Sequence, residues 1–485
     1  MVDFSLRYKK AFTIRGDNVT TYSLAVDIGA SSGRLILGHM EKNQMKLREV
    51  HRFKNKIVQK GEHFCWEVDL LFSEIKTGIK KCLAEGIKPS SIGIDTWAVD
   101  FVLLDENDKL LTDAVAYRDS RTDGMMEKVF QTIMKERLYL ETGIQFQKFN
   151  TIYQLYSLKE TQPEVLEKAK TFLMIPDYLN YLLTGKKVNE YTNATSTQLV
   201  SAFTKKWDHD ILTKLGIQTE MFQDIHPPQT VVGSLREELV AEFGCDMDVV
   251  LPATHDTGSA VVAVPALDET IYISSGTWSL IGVENHFPIC VTKALDYNFT
   301  NEGGVDYRYR FLKNIMGLWM IQEVKRNYND KYSFAELVDL SRDVQEFKAT
   351  VNVDDERFLL PENMISAIQD YCRETHQQVP ITPGEVAKCV FDSLAVSYQQ
   401  AVHEIEDIFE REFKTIHVIG GGCQNELLNQ LIANVTQKEV FAGPVEATAI
   451  GNLAVQLMTL GEIESIHEAR SIIKQSFEVR TYTSK

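Results

Sequence analysis

The chain has 485 residues, of which 44% are hydrophobic and 25% are charged, and its formal net charge is −17. This length predicts two large domains rather than a single core. The acidic balance disfavours nucleic acids and anionic membranes as partners. The sequence contains no run of about 18 apolar residues, so we expect no membrane span.

Residues 1–22 contain four cationic side chains but no continuous apolar stretch before a small-residue cleavage site. They therefore do not resemble a secretory signal, and we expect a loosely packed extension. The seven cysteines are scattered, with no CxxC pair and no Cys/His spacing that fits zinc. This usage predicts a reducing, cytoplasmic location. Cys372 and Cys389 flank a proline-containing loop, and whether they form a disulfide stays open.

The first half of the chain reads as strands followed by helices. Apolar and polar residues alternate over 23–53, which predicts antiparallel strands that reverse first at a Gly-Ser turn. Residues 68–84 have helical spacing, and residues 91–104 are strand-like around a polar centre. Helical segments are predicted through much of 124–215. A short buried strand at 249–253 then leads into a Thr-His-Asp-Thr-Gly sequence and a helix.

The second half opens near Thr270 and repeats the strand–turn–strand pattern. Strands followed by helices in both halves predict an α/β protein. We expect one domain over residues 23–265 and another over 266–485. The predicted helices of the second half are 318–324, 334–340, 384–409 and 426–435.

Two segments almost half the chain apart resemble each other, namely 24–34 (LAVDIGASSGR) and 270–280 (TIYISSGTWSL). Each reads as an apolar strand, a turn of Gly, Ser and Thr, and a second strand. Glycine lets a backbone approach a bulky ligand, and small hydroxyls and free amides donate hydrogen bonds. Two such turns, from two halves, predict a cleft that holds both ends of a triphosphate, although either turn alone is compatible with a structural hairpin.

The first turn also matches the G-x-S-x-G motif of serine hydrolases, with Ser31 as nucleophile. That motif requires a helix directly after the serine, whereas residues 34–39 alternate like a strand.

Asp27 ends the first strand and either faces hydrated Mg²⁺ through water or caps its own turn. Neither a P-loop motif nor the protein-kinase motifs occur in the sequence.

Asp256 follows a strand and starts a predicted helix, at the edge where open α/β sheets bind ligands. An ionised aspartate there can accept the proton of a hydroxyl that attacks a γ-phosphorus, and a helix N-terminus favours its charged form. The alternative is an ordinary N-cap. Farther on, three glycines from Gly420 to Gly422 predict a flat surface for a nucleotide, or a tight connection between a strand and a helix.

Residues 93–101 (GIDTWAVDF) combine an aromatic ring with two carboxylates, a mixture that suits sugar binding. A charged loop follows at residues 117–121. Both segments are equally compatible with a plain surface.

These segments together resemble the FGGY carbohydrate kinases, and the similarity extends over about residues 23–460. The resemblance implies two actin-like (ribonuclease-H-like) domains that flank a catalytic cleft, the first binding sugar and phosphate and the second binding the nucleotide. It implies ATP and Mg²⁺ as cofactors and a small sugar as substrate. The resembling segments are LAVDIGASSGR, GIDTWAVDFVLLD, AYRDSRT, YTNATSTQLV, THDTGSAV, YISSGTWSL, TNEGG, LKNIMGLW, VIGGGCQN and AGPVEATAIGN.

Three of these segments, THDT, GIDTW with VDFVLLD, and KNIMGLW, imply L-rhamnulose as the acceptor within the family. The expected products are L-rhamnulose 1-phosphate and ADP, a step in L-rhamnose breakdown. Other acceptors (fuculose, xylulose or glycerol) and a non-catalytic sugar-binding role stay open, and the oligomeric state is not predicted.

The resemblance also assigns roles to single residues. It implies Asp256 as proton acceptor and Asp27 as the residue facing the metal. Where the family commonly has glycine, this chain has Ala98, whose methyl group would narrow the sugar pocket. The implied sugar contacts are Ala98, His255, Asp256, Thr257 and Asn314, and the implied ATP contacts are Ala30, Ser31, Ser32, Gly33, Arg34, Thr277, Gln322 and Gly421.

Overall fold

The computed structural model describes residues 20–485. Residues 1–19 of the extension that we expect over residues 1–22 therefore lie outside the described residues. All seven cysteines belong to the described part of the chain, and all are free thiols, including the buried pair Cys372 and Cys389. None of the helices in residues 20–485 has the length and hydrophobicity that crossing a membrane requires.

The first half alternates strands with helices, as its sequence pattern predicts. The helix at Val68–Ala84 has the predicted bounds. Its buried side chains recur three or four residues apart along one face, which is the spacing that predicted it. In chain order the elements are β1 (Ser23–Ile28), β2 (Ser32–Glu41), β3 (Gln44–Lys54), β4 (Ile57–Lys60), β5 (His63–Trp66), α1 (Val68–Ala84), β6 (Ser91–Thr96), β7 (Phe101–Leu104), β8 (Ala114–Val115), α2 (Met125–Thr132), α3 (Lys135–Thr142), α4 (Thr151–Thr161), α5 (Pro163–Lys168), β9 (Thr171–Met174), α6 (Ile175–Thr184), β10 (Asn189–Glu190), α7 (Tyr191–Thr195), α8 (His209–Leu215), β11 (Ile225–His226), β12 (Val231–Ser234), α9 (Glu237–Phe243), β13 (Asp248–Val250) and α10 (Asp256–Val262).

The second half repeats this alternation and contains the longest of the described helices, which starts with a capping box at Thr382 and Glu385. In chain order its elements are β14 (Ile271–Ser275), β15 (Trp278–Asn285), α11 (Thr292–Asp296), β16 (Thr300–Gly303), β17 (Tyr309–Met316), α12 (Trp319–Asn327), α13 (Phe334–Arg342), α14 (Met364–Glu374), α15 (Pro383–Phe409), β18 (Thr415–Ile419), α16 (Glu426–Thr436), β19 (Glu439–Ala442), α17 (Ala447–Thr459), α18 (Ile466–Ser476) and β20 (Arg480–Tyr482).

The two large sheets share one topology over six strands, which explains the similarity of the two turns. The first sheet has the order β12-β13-β6-β1-β2-β3, and the second has the order β16-β17-β15-β14-β18-β19-β20. In each sheet the first strand pairs antiparallel with the next strand and parallel with a later one: β1 with β2 and β6, and β14 with β15 and β18. The predicted α/β class and the repeated strand–turn–strand pattern are therefore confirmed.

Helix α17 belongs to the second half of the chain but packs on the sheet of the first half. The Asn452 Nδ2 donates to the Asp95 Oδ2 at 2.6 Å and to the Gly93 carbonyl at 3.1 Å. One turn later, Gln456 donates to the carbonyl of Leu24 at 3.1 Å. Because of this crossover, the division into domains 23–265 and 266–485 stays a proposal.

Sequence patterns did not indicate α17. Nearly all of its residues are buried, so it lacks the polar face that gives a helix its recognisable period.

Helices α10 and α17 touch backbone to backbone at Gly451. A Cβ atom on this residue would lie 1.7 Å from the carbonyl oxygen of Ser259. The two helices therefore approach as closely as they do because residue 451 has no side chain.

We predict that Gly451→Ala lowers the free energy of unfolding by about 1–3 kcal/mol or more, because the helices must separate to admit the methyl group. Urea denaturation measures this change. Gly421→Ala is the matched control, since a Cβ atom there meets no atom within 4 Å. Equal stability of the two variants would contradict this account of the helix contact.

Candidate active site

A cavity of about 300 Å³ lies between the two halves. Both the turn after β1 and the turn after β14 contribute to its wall, together with the glycines that follow β18. The structure thus brings most of the predicted site residues together around one space. Those that line the cavity are Ala30, Ser31, Arg34, Ala98, His255, Asp256, Thr257, Thr277, Asn314 and Gly421.

Four predicted residues are not part of this wall: Asp27, Ser32, Gly33 and Gln322. Gly33 packs against the Phe53 ring, where a Cβ atom would lie 2.1 Å from Cζ, so its glycine is needed for packing. Gln322 lies within α12. The nucleotide roles of Ser32, Gly33 and Gln322 stay predictions.

The first turn is held from behind by Asn55. Its Nδ2 donates to the Gly29 carbonyl at 2.9 Å, and its backbone N–H donates to the Ser31 carbonyl at 3.1 Å. No pattern in the sequence indicates Asn55.

The chain continues after the turn as β2 rather than as a helix. The hydrolase interpretation of Ser31 is therefore wrong, because the nucleophile elbow requires a helix at that point.

Asp27 forms an ion pair within its own hairpin. The Arg34 Nε and Nη2 lie 3.0 and 2.8 Å from the Asp27 Oδ2. Arg34 also contacts Glu446, which directly precedes α17. One arginine thus joins the first turn to the second half of the chain.

Asp256 is the first residue of α10 and its side chain is about 30% exposed. Its Oδ1 accepts hydrogen bonds from the Thr257 N–H at 2.6 Å and hydroxyl at 3.2 Å. Desolvation raises the pKa of Asp256 and the charge of Asp27 adds to the rise, while His255 opposes it. This direction is opposite to the one we expected from the helix N-terminus, because burial is the larger effect. A raised pKa makes the carboxylate a better proton acceptor.

Glu190 fixes the chain that leads to Asp256. Its Oε2 accepts hydrogen bonds from the Thr254 N–H at 3.1 Å, from the Thr254 hydroxyl at 2.7 Å and from the Thr192 hydroxyl at 2.6 Å. Burial raises the pKa of Glu190, while these donors oppose the rise. No local pattern in the sequence marks this buried acid, because its partner Thr254 is 64 residues away.

The segment predicted as one strand-like stretch over 91–104 is broken into β6 and β7 by a γ-turn. The Asp100 N–H donates to the Ala98 carbonyl at 2.9 Å, and Val99 has φ +66°. A β-branched residue with this φ is strained. The Thr151 hydroxyl stabilises this strained conformation by donating a hydrogen bond to the Val99 carbonyl at 2.6 Å. The turn places Trp97 and Ala98 on the cavity wall.

Asp100 anchors this wall from beneath. Its Oδ2 accepts hydrogen bonds from the Trp66 and Trp97 indoles at 2.6 and 2.9 Å and from the Tyr117 N–H at 3.1 Å. Burial raises the pKa of Asp100 to about 6, although these donors oppose the rise. The aromatic wall is thus oriented by one buried carboxylate.

Asn314 reaches the cavity from β17 and meets Gln145 of the first half. The Gln145 Oε1 accepts from the Asn314 N–H at 3.0 Å and from its Nδ2 at 2.9 Å. Gln145 also lines the cavity. It lies in a region that sequence analysis described only as helical, and the structure places it in a loop between α3 and α4.

Two family models match this chain. The N-terminal domain of the FGGY family of carbohydrate kinases matches residues 22–263, and the C-terminal domain of the same family matches residues 271–460. The chain belongs to the FGGY family of carbohydrate kinases. Membership confirms the predicted family and agrees with the cavity between two related halves.

Curated relatives resemble this FGGY kinase over nearly its whole length. A rhamnulokinase of Halalkalibacterium halodurans is 70% identical over 463 residues, which cover 96% of this chain and 99% of that protein. A rhamnulokinase of Oceanobacillus iheyensis is 66% identical and covers 95% of this chain and 98% of its own length. A rhamnulokinase of Bacillus subtilis is 45% identical, with 95% of both chains covered.

Solved structures of other sugar kinases share the fold of this FGGY kinase. A gluconate kinase from Lactobacillus acidophilus superimposes with a TM-score of 0.79 at 17% identity, covering 96% of this chain and 94% of that one. A ligand-bound xylulose kinase from the same organism gives a TM-score of 0.77 at 18% identity with the same coverage. The predicted two-domain α/β fold is therefore confirmed.

The buried carboxylate beneath the aromatic wall predicts a pH dependence of stability. The pKa of Asp100 is about 6 in the folded chain and about 3.9 in an unfolded one. Since the folded pKa is raised, the stability contributed by Asp100 is present below about pH 4 and is lost as the pH rises through 6. Relative to Asp100→Asn, the wild type should lose up to about 3 kcal/mol of unfolding free energy over this window.

Urea denaturation of both proteins at several pH values measures this difference. The other buried carboxyl groups titrate in both proteins, so the difference isolates Asp100. A difference in unfolding free energy that stays constant from pH 4 to pH 7 would contradict the assignment.

Proposed function

We propose that this FGGY kinase transfers the γ-phosphoryl group of ATP to the 1-hydroxyl of L-rhamnulose, giving L-rhamnulose 1-phosphate and ADP. The assignment of the substrate rests on the full-length similarity to proteins named rhamnulokinase, at 70% and 66% identity. The geometry of the cavity supports the chemistry, since both turns and Asp256 line one space. The reaction belongs to L-rhamnose breakdown.

Asp256 acts as the base in this proposal. As the sugar O1 forms its bond to the γ-phosphorus, the bond from that phosphorus to the β,γ-bridging oxygen breaks and ADP leaves with the electron pair. The proton of the sugar hydroxyl passes to the Asp256 carboxylate. The protein otherwise contributes positioning and charge neutralisation, which are its main tasks in phosphoryl transfer.

Sugar kinases of this family use ATP together with Mg²⁺. Among residues 20–485, no three His, Cys, Asp or Glu side chains are grouped so that they could hold a metal ion by themselves. This fits Mg²⁺, which keeps several water ligands and binds phosphate oxygens beside one or two carboxylates. We propose that Asp27 faces the ion through water. When bound, Mg²⁺ neutralises charge on the phosphates.

The wall of the cavity supports a division of roles. We assign Ala98, His255, Thr257 and Asn314 to the sugar. We assign the turn at Ala30 and Ser31, with Arg34, to the phosphates, and Thr277 and Gly421 to the nucleotide. A cytoplasmic location and the lack of nucleic-acid or membrane partners remain predictions from composition.

Replacing the base tests the mechanism. Asp256→Asn should fold and bind L-rhamnulose but lose about 10²–10⁴-fold in kcat, because the amide cannot accept the proton. A coupled ADP assay measures kcat, and calorimetry measures sugar binding. Asp246→Asn is the matched control, since Asp246 lies outside the cavity wall and accepts backbone N–H groups that an amide oxygen can also accept. A kcat near the wild-type value in Asp256→Asn would reject Asp256 as the base.

A panel of acceptors tests the substrate. L-rhamnulose should have the highest kcat/KM among L-rhamnulose, L-fuculose, D-xylulose and glycerol, since kcat/KM ranks competing substrates. ³¹P–¹H correlation spectra should place the phosphate of the product on C1. A higher kcat/KM for another acceptor would replace L-rhamnulose, and sugar binding without ADP release would favour a non-catalytic protein.

A further inference from the structure

A buried arginine of the second half lies against His255, and the proposed chemistry does not use it. Arg310 on β17 is fully buried, and His255 lines the cavity directly before α10. The Arg310 Nη2 lies 3.1 Å from the His255 Nδ1, in hydrogen-bond geometry. The Arg310 Nε donates to the Gly303 carbonyl at 2.8 Å, which holds the guanidinium in place.

The hydrogen bond between these two residues has only one possible direction. A guanidinium carries N–H donors and no acceptor, so Arg310 donates and the His255 Nδ1 accepts. A nitrogen that accepts carries no proton, and a neutral imidazole then carries its proton on the other nitrogen. The hydrogen bond from Arg310 therefore fixes the tautomer of His255 that has its proton on Nε2.

Glu302 on β16 is the competing partner of Nδ1. Its Oε2 lies 3.2 Å from Nδ1, but no donor in residues 20–485 is directed at this oxygen in hydrogen-bond geometry. The same oxygen lies 3.0 Å from the Arg310 Nη2. Glu302 therefore balances the charge of Arg310, since a guanidinium that is buried without a counter-charge is costly.

On the cavity side of the ring, the Nε2–H is left for a ligand. Nε2 lies 3.5 Å from the Asp256 Oδ1, which already accepts two hydrogen bonds from Thr257. A carboxylate oxygen has two lone-pair sites, so Oδ1 has none left for Nε2–H. Two oxygens on adjacent sugar carbons lie about one hydrogen-bond length apart. A sugar hydroxyl on Asp256 therefore brings the neighbouring oxygen close to Nε2.

We propose that Arg310 is a positioning residue that fixes His255 as an Nε2–H donor to the sugar oxygen on C2, while Asp256 accepts the proton of the C1 hydroxyl. With its proton on Nδ1 instead, His255 would present an unprotonated nitrogen beside Asp256 and would compete for that hydroxyl proton. The Nε2–H group holds the sugar and leaves Asp256 as the proton acceptor. A residue of the second half thus sets the hydrogen bonding of a sugar contact in the first half.

This inference rests on the proposed function, and a spectroscopic test separates the two. In enzyme labelled with ¹⁵N-histidine, long-range ¹H–¹⁵N spectra report which ring nitrogen carries the proton. They are recorded without substrate, at a pH where the ring is neutral. His255→Asn identifies the His255 signals by their loss. We expect the proton on Nε2 in the wild-type enzyme. A proton on Nδ1 overturns the proposal, whether or not any variant folds.

Arg310→Met removes the donor, and Nδ1 should then gain a proton, because the Glu302 Oε2 becomes its partner. We expect the KM for L-rhamnulose to rise about tenfold, the effect of losing one good hydrogen bond, with the KM for ATP unchanged. Arg310→Lys keeps a cation with N–H donors and should restore both the proton on Nε2 and the KM for L-rhamnulose.

Arg470→Met is the matched control. Arg470 is also buried, donates to the Val261 carbonyl at 3.1 Å near the other end of α10, and pairs with Glu284 of the second half. It lies outside the cavity wall. Its replacement should lower stability without changing the His255 spectrum or either KM.

The outcomes are distinct. A folded Arg310→Met enzyme that keeps the proton on Nε2, or that keeps the wild-type KM for L-rhamnulose, would refute the role of Arg310 while leaving the kinase activity intact. Failure of the wild-type enzyme to phosphorylate L-rhamnulose would refute the proposed function instead, since the proton position in His255 is measured without substrate.

Discussion

The close contact of α10 with α17 is the constraint on which the site depends. Helix α10 begins with Asp256, and α17 follows Glu446, the partner of Arg34 in the first turn. Because Gly451 lets the two helix backbones touch, the base and the first turn come to lie beside the second half of the chain. Hydrogen bonds from Asn452 and Gln456 to β6 and β1 also hold α17 on the sheet of the first half. The cavity is a consequence of this packing.

Buried carboxylates surround that contact, and their environments differ in ways that suit different tasks. Asp95 lies opposite Asp27 on the neighbouring parallel strand. Burial raises the pKa of Asp95 well above its ordinary value, and the charge of Asp27 raises it further. Asp27 itself is balanced by Arg34. Burial acts to raise the pKa of Glu302 but is outweighed by Arg310 and His255, so that pKa is lowered. Asp256 faces the cavity with a raised pKa and is the carboxylate best suited to accept a proton.

Local patterns were enough to predict the strands on either side of both turns, most helices, the turns themselves and the location of Asp256, because each depends on residues close in sequence. They did not reveal Asn55 or Glu190, whose roles arise from contacts between distant segments. The γ-turn at Val99 was also missed, since valine disfavours the left-handed region that it adopts here. Family resemblance supplied the role proposed for Asn314, which no local pattern in the sequence marks. The raised pKa of Asp256 required the burial that only the folded chain provides.

We propose that two related turns, one from each half, hold a single nucleotide whose terminal phosphate faces Asp256. The most direct measurement is a crystal structure with L-rhamnulose, Mg²⁺ and a non-hydrolysable ATP analogue. We expect the γ-phosphate between the turns at Ser31 and Thr277, with the sugar O1 in hydrogen-bond reach of the Asp256 carboxylate. A nucleotide bound outside this cavity, or a sugar hydroxyl facing away from Asp256, would contradict it.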